Sequence, residues 1–218
     1  MIVLALDTAL SACQAAVLDG ERVLASRSEP MARGHQERLA PMAAEVMEAA
    51  GLGFAALDRV AATVGPGSFT GLRVGLAFAK GLALALARPL VGLGTLEALA
   101  ANVEPPGFVA AAIDARRDQL YLQVFTDGAP VMAPDVLSLD GAAARLVELY
   151  PGGEATLVGP GAALLDGVIV GARLEPRTAP DVAALARLAA SRPSPSAPPR
   201  PLYLRRPDAL TLAERGAG

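Results

Sequence analysis

The chain has 218 residues, enough for one large domain or two small lobes, and 53% of them are hydrophobic, which supports a sizeable core and excludes a largely disordered chain. The formal charge of −3 gives the whole molecule no strong pull on nucleic acid, and a lone cysteine, Cys13, excludes an internal disulfide and a cysteine zinc cage. A lone histidine, His35, excludes any two-histidine metal site built from this chain by itself. No charged start followed by an apolar run and a cleavage site marks secretion. The most apolar run, residues 74–87, is short for a bilayer and contains Lys80. A cytoplasmic protein with no membrane contact is the expectation.

Residues 2–6 form a continuous apolar run, a buried strand ending at Asp7-Thr8-Ala9. Residues 13–18 make a second strand, Asp19-Gly20 a hairpin turn, and residues 23–26 a third strand. A helix follows from His35 to near Ala50, stopped by Gly51, with Leu39, Met42, Ala43, Val46 and Ala50 on one apolar face. Pro41 either starts or kinks it. Residues 57–64 are a fourth strand.

The next stretch, Gly65-Pro66-Gly67-Ser68-Phe69-Thr70-Gly71, is the strongest local signal. Pro66 lacks an N–H and the glycines permit positive φ, so the strand stops there. Ser68 or Thr70 can cap a long helix. Within it Gly71, Gly75, Ala79, Ala83 and Ala87 recur every fourth residue, a smooth stripe where another backbone can approach closely. The stripe fits a partner's helix or the chain's own sheet. Gly65, Gly67 and Ser68 could cradle a phosphate at the helix N-terminus, although the spacing is neither a Walker A loop nor G-x-G-x-x-G, and the residues by themselves favour a plain tight turn. Residues 89–92 form a fifth strand, and Thr95 caps a short helix to residue 101.

Asn102 to Gly107, with Pro105-Pro106, reads as a boundary between lobes 1–103 and 104–218. Beyond it the grammar repeats: strands at 108–113, 120–125 and 131–136, a helix from the Ser138 cap to residue 149, a short strand at 156–158 and a helix at 181–191. A proline- and serine-rich linker spans 192–201, and residues 202–204 can pair as a last strand before Arg205 and Arg206. In both copies the first strand ends in aspartate, Asp7 and Asp114. The pattern is α/β: two actin-like lobes of the ASKHA, ribonuclease H-like class, each a mixed sheet with helices, the second reduced.

Asp7 could hold a hydrated cation or simply close a turn. Arg116 and Arg117 could grip an anion or lie solvated. Tyr203 with Arg200, Arg205 and Arg206 makes a small basic, aromatic cluster suited to RNA phosphate and base stacking. No complete catalytic constellation is visible.

The motifs A-L-D-T-A, G-H-Q-E-R-L-A-P, G-P-G-S-F-T-G-L-R-V-G, A-I-D-A-R and P-L-Y-L-R, in that order, resemble the TsaB (YeaZ) family across nearly the whole chain. The resemblance implies a non-catalytic partner of the transferase TsaD, acting with TsaE to make N6-threonylcarbamoyladenosine beside the tRNA anticodon. It also implies a homodimer when TsaD is absent and tRNA contact through the complex. Catalytic relatives carry a metal-binding His-Met-Glu-Gly-His; the matching stretch here is Thr95-Leu96-Glu97-Ala98-Leu99, with neither histidine. No metal or cofactor is expected in the isolated chain, and ATP or ADP at the TsaB–TsaD junction stays open. The alternatives are a small-molecule kinase or ATPase of the same superfold, using Asp7 and the Gly65 loop, or a degenerate M22 glycoprotease-like protein. The expected contact surface comprises His35, Leu39, Met42 and Val46 of the first helix and Gly71, Gly75, Ala79 and Ala83 of the second, so Gly75→Leu is expected to weaken TsaD binding and spare the fold.

Overall fold

The computed structural model describes residues 1–205. The first sheet has the order β3-β2-β1-β4-β5, from β1 (Ile2–Asp7), β2 (Ala12–Asp19), β3 (Arg22–Pro30), β4 (Arg59–Gly65) and β5 (Leu90–Gly94). β1, β2 and β3 form an antiparallel meander, while β4 and β5 join parallel to β1. Two helices, α1 (His35–Ala49) and α2 (Phe69–Leu86), supply the crossovers around β4. Parallel pairing demands such crossovers, since a short turn reverses strand direction.

β1 is apolar without alternation because both faces of the sheet are covered. Leu4 and Leu6 pack with Leu39, Met42, Val46, Leu76, Ala79 and Ala83 beneath α1 and α2. Val3 and Ala5 face Val182, Leu185, Ala186 and Ala189 on the other side. That second cover is α5 (Val182–Ser191), started by Asp181, whose carboxylate accepts from the Ala183 and Ala184 amides. The expected second lobe began at residue 104 and ran to the C-terminus, yet α5 packs on the first sheet.

The second sheet runs β11-β10-β6-β7-β8, with β9 also on β7: β6 (Phe108–Arg116), β7 (Gln119–Thr126), β8 (Ala129–Pro130), β9 (Asp135–Ser138), β10 (Ala155–Val158) and β11 (Arg173–Glu175). In place of the strand expected over 131–136, β8 ends at Pro130 and β9 begins at Asp135. Pro130 and Pro134 lack the N–H a continuous ladder needs. α4 (Leu139–Leu149) begins at Ser138, whose hydroxyl accepts from Gly141 N. α3 (Thr95–Ala100) joins the lobes: Ala98 packs with α5, while Leu96 and Leu99 pack with Val109, Ala111, Ile113 and Val158 of the second sheet. Thr95 is the first helical residue and not the cap; Gly94 precedes it without a side-chain cap.

Residues 192–205 run as a strap along the first lobe to the second. Arg59 N–H groups donate to the carbonyls of Ala189 and Arg192 and to Ser194 Oγ. Leu202 N donates to Val64 O at 2.7 Å. Arg205 donates to Ala115 O at 2.9 Å and also reaches Gln119. The strand expected at 202–204 is therefore an extended strap held by one ladder-like bond, and Arg206 lies outside the described residues. α2 is long and apolar enough by composition to cross a membrane; its inner face is committed to the sheet.

Candidate functional site: the cleft between the lobes and the helical layer

The ends of β1 and β4, the start of α2 and the β6–β7 hairpin meet at a cleft of about 560 Å³ lined by Ala9, His35, Ser68, Asp114, Arg116 and Tyr121 among others. Asp7 lies behind it, 0% exposed. Its Oδ1 accepts from Thr63 Oγ1 at 2.7 Å and Ala9 N at 3.1 Å, and its Oδ2 from Gln14 Nε2 at 3.0 Å. Burial pushes its pKa above the ordinary carboxylate value, against the lowering effect of those hydrogen bonds. A carboxylate so enclosed is a turn-closing latch, not a cation ligand open to the cleft. Gln14 extends the latch by donating to Pro180 O at 2.9 Å, which ties β2 to the entry of α5.

The glycine loop is filled by the chain's own backbone. A Cβ on Gly65 (φ +118°) would meet Leu202 O at 2.7 Å, and one on Gly67 would collide with Ala9 O. Ser68 N donates to that same Ala9 carbonyl at 2.8 Å, and Ser68 Oγ accepts from Gly71 N, which makes Ser68 the cap. These glycines admit the strap and the β1 turn. Two donors that a phosphate cradle would use, the Ser68 and Gly71 amides, already have partners.

His35 is 8% exposed, and its buried Nε2 has no hydrogen-bond partner. Cys13 lies within the core, where burial lifts its thiol to about 11, far from the range of a reactive thiolate. Thr95 and Leu99, at the positions matched above to the catalytic relatives' histidines, are 0% exposed, Leu99 in an apolar cluster. Among the described residues, no three His, Cys, Asp or Glu side chains gather as a metal site.

The expected contact residues sit on the inner side of the helical layer. His35, Leu39, Met42, Val46, Gly71, Gly75, Ala79 and Ala83 are all buried within this chain. Gly71 and Gly75 face the residue after β1: Thr8 Oγ1 donates to Gly71 O at 2.8 Å, and a Cβ on Gly75 would meet Thr8 Oγ1 at 2.5 Å. The stripe serves the chain's own sheet edge. Gly75→Leu therefore strikes the fold before any partner, where the sequence suggested that it would spare the fold. The outer side carries Ala40, Pro41 and Ala44 on α1 and Ala77, Gly81, Leu84 and Ala85 on α2, all exposed. Gln14 and Leu202 were invisible as site residues because each reaches a backbone carbonyl far away in sequence, as Thr8, read only within the turn after β1, reaches Gly71 O; Phe69 and Tyr203, whose rings lie 5.4 Å apart, share no sequence neighbourhood.

A family model described as TsaD, tRNA N6-adenosine threonylcarbamoyltransferase, matches residues 23–151, more than half of the chain. An uncharacterised protein of Mycobacterium leprae is 37% identical over 97% of this chain, which spans 56% of that relative's length. The tRNA threonylcarbamoyladenosine biosynthesis protein TsaB of Escherichia coli is 37% identical over 56% of this chain and 53% of its own. The structure of YeaZ from Pseudomonas aeruginosa superposes with a TM-score of 0.76 at 32% identity, covering 87% of this chain and 90% of that one. A hexokinase of Thermus thermophilus, at 16% identity and a TM-score of 0.54 over 87% of this chain and 98% of that one, shares the fold alone. With the strand order, the glycine loop and these likenesses together, the chain belongs to the TsaB (YeaZ) family of actin-like proteins, whose named bacterial members serve tRNA threonylcarbamoyladenosine biosynthesis.

Proposed function

We propose that this chain is a non-catalytic subunit that holds a TsaD transferase in its competent state, so that TsaD, with TsaE, moves the threonylcarbamoyl group from threonylcarbamoyl-AMP to N6 of the tRNA adenosine beside the anticodon. The work is cytoplasmic, as tRNA is. One observation carries the reading: the outer side of α1 and α2. Ala40, Pro41 and Ala44 are exposed there beside Ala77, Gly81 and Ala85, with Leu84 84% exposed, on helices that also expose Glu37, Glu48 and Arg73. Small residues let a partner's helices approach closely, and a stable contact needs about 800 Å² per partner. TsaD is the proposed occupant, and a second copy of this chain takes the face when TsaD is absent. Activation is a population shift, which requires tighter binding to the active form of TsaD than to the inactive one.

Reconstitution tests it. TsaD, TsaE, threonylcarbamoyl-AMP and tRNA are mixed with and without this chain. Modified adenosine should form only in its presence, and the isolated chain should turn over nothing. Equal yields without it, or turnover by the chain unaided, would remove the reading.

A further inference from the structure

The N-terminal end of α2 carries a feature the docking face does not use. Phe69 and Tyr203 are 48% and 45% exposed, and their rings meet at 5.4 Å with planes 35° apart. The Arg73 guanidinium lies 5.1 Å from the Phe69 centroid. Tyr203 is held on both sides: Leu202 N bonds Val64 O at 2.7 Å, and Arg205 grips the carbonyls of Ala115 and Arg116. The ring is therefore presented in place, which lowers the entropy lost on binding. Arg116, on the hairpin that Arg205 grips, keeps a side chain 85% exposed beside its 3.2 Å pair with Asp114. Arg200 is exposed on the same strap.

We propose that Phe69 and Tyr203, flanked by Arg73 and Arg116, form a stacking platform for the unpaired bases of an RNA loop. Aromatic faces accept any base, and arginine adds both charge and cation–π attraction. The molecule as a whole is weakly acidic at −3, so attraction to phosphate depends on this local cluster. Asp114 and Asp118 on the hairpin reduce the field, and Asp114 is paired with Arg116. In the complex proposed above, on which this inference rests, the loop is the anticodon loop of the tRNA being modified. The platform lies at the opposite end of α2 from Leu84, about 22 Å along the helix.

The test uses a fluorescein-labelled anticodon stem–loop RNA, read by anisotropy against the complex of the full chain with TsaD, while calorimetry reads complex formation. Phe69→Ala and Tyr203→Ala should each weaken RNA binding about tenfold. Arg73→Ala should reduce the slope of log affinity against log salt by about 1. Tyr203→Phe, which keeps the ring, should bind as the natural chain does, and TsaD affinity should not change in the Phe69 and Tyr203 variants. Unchanged RNA affinity in both alanine variants overturns the proposal. So does a loss of RNA binding that tracks loss of TsaD, which would make the patch a protein contact. If the natural chain binds no TsaD, the scaffold reading fails separately; the platform is then judged on the chain alone, where the same tenfold loss supports it and no loss overturns it.

Discussion

Gly75 exists for Thr8: the space its missing side chain leaves is occupied by the Thr8 hydroxyl, 2.5 Å from where a Cβ would stand. That hydroxyl also donates to Gly71 O at 2.8 Å, so α2 is pinned to the end of β1 over one turn. Gly75→Leu must push the helix off the sheet or break that bond. Overpacking of this kind costs about 1–3 kcal/mol, occasionally more, and outweighs the roughly 1 kcal/mol that replacing a helical glycine returns. Gly81 is the control: nothing lies within 4 Å of its Cβ position. Thermal melts should show Gly75→Leu falling by several degrees and Gly81→Ala rising slightly. A stable Gly75→Leu would overturn this packing.

The contrast explains what could be read beforehand. Small residues every fourth position announce close approach whoever approaches, so the stripe was legible and its direction was not. β1 was legible because both its faces are covered, which makes Val3, Leu4, Ala5 and Leu6 one apolar run. Ser68 and Ser138 announced their helices through local capping chemistry. The apolar face of α5 looked like that of any helix, and nothing within it says which sheet it covers. The strap was equally silent. Its prolines suggested an extended or mobile linker, while its anchors, Arg59 at one end and Val64 and Ala115 further on, lie far away in sequence.

Gln14 should matter more as pH rises. Its Nε2 bonds Asp7 at 3.0 Å and Pro180 O at 2.9 Å, and the side chain is 3% exposed. Gln14→Met leaves both acceptors short of a donor, at about 1–3 kcal/mol for each buried group left unpaired. Burial raises the folded pKa of Asp7 above its ordinary value, so its contribution to stability is complete below the unfolded pKa and is lost as pH climbs through the folded one. Gln14 opposes that rise, and removing it moves the folded value higher still. Urea titrations at about pH 4 and about pH 8 should therefore show a larger deficit for Gln14→Met at the higher pH. A larger deficit in acid would show that Gln14 does not bond the charged carboxylate.

Arg38 gives a pH dependence of opposite sign. Its guanidinium donates to Glu29 on β3 at 2.5 and 2.6 Å and to Glu45 on α1 at 2.8 Å twice. The hydrogen bonds from Arg38 hold both carboxyls below their ordinary value. Groups with a lowered folded pKa stabilise above the unfolded pKa and lose that contribution as pH falls through the folded one. The natural chain should therefore weaken on acidification below about pH 4.5 more steeply than Arg38→Met, which keeps only the 3.2 Å Arg27–Glu45 pair. Arg38→Lys should resemble Met more than Arg, because a single ammonium cannot satisfy two carboxylate forks. Parallel acid limbs for the natural chain and Arg38→Met would discount the pair.

Ala77 separates docking from folding. It stands on the exposed side of α2, between Arg73 and Gly81, while Ala79 two positions on is buried in the core. Ala77→Arg places a long cation on the face proposed to meet TsaD and touches none of the packed layer. Exposed substitutions away from caps and cores usually stay within about 0.5 kcal/mol in stability, so the melting temperature should hold. A charge buried against a helix without a partner costs far more than that, so TsaD affinity should fall at least about tenfold, a loss worth about 1.4 kcal/mol. Titration calorimetry and a reconstituted modification assay should fall together, and the natural tRNA yield should return as TsaD is raised in excess. Undiminished TsaD binding by a folded Ala77→Arg chain would take the outer face of α2 out of the contact, and leave α1, with Ala40, Pro41 and Ala44, to be tested by the same substitution.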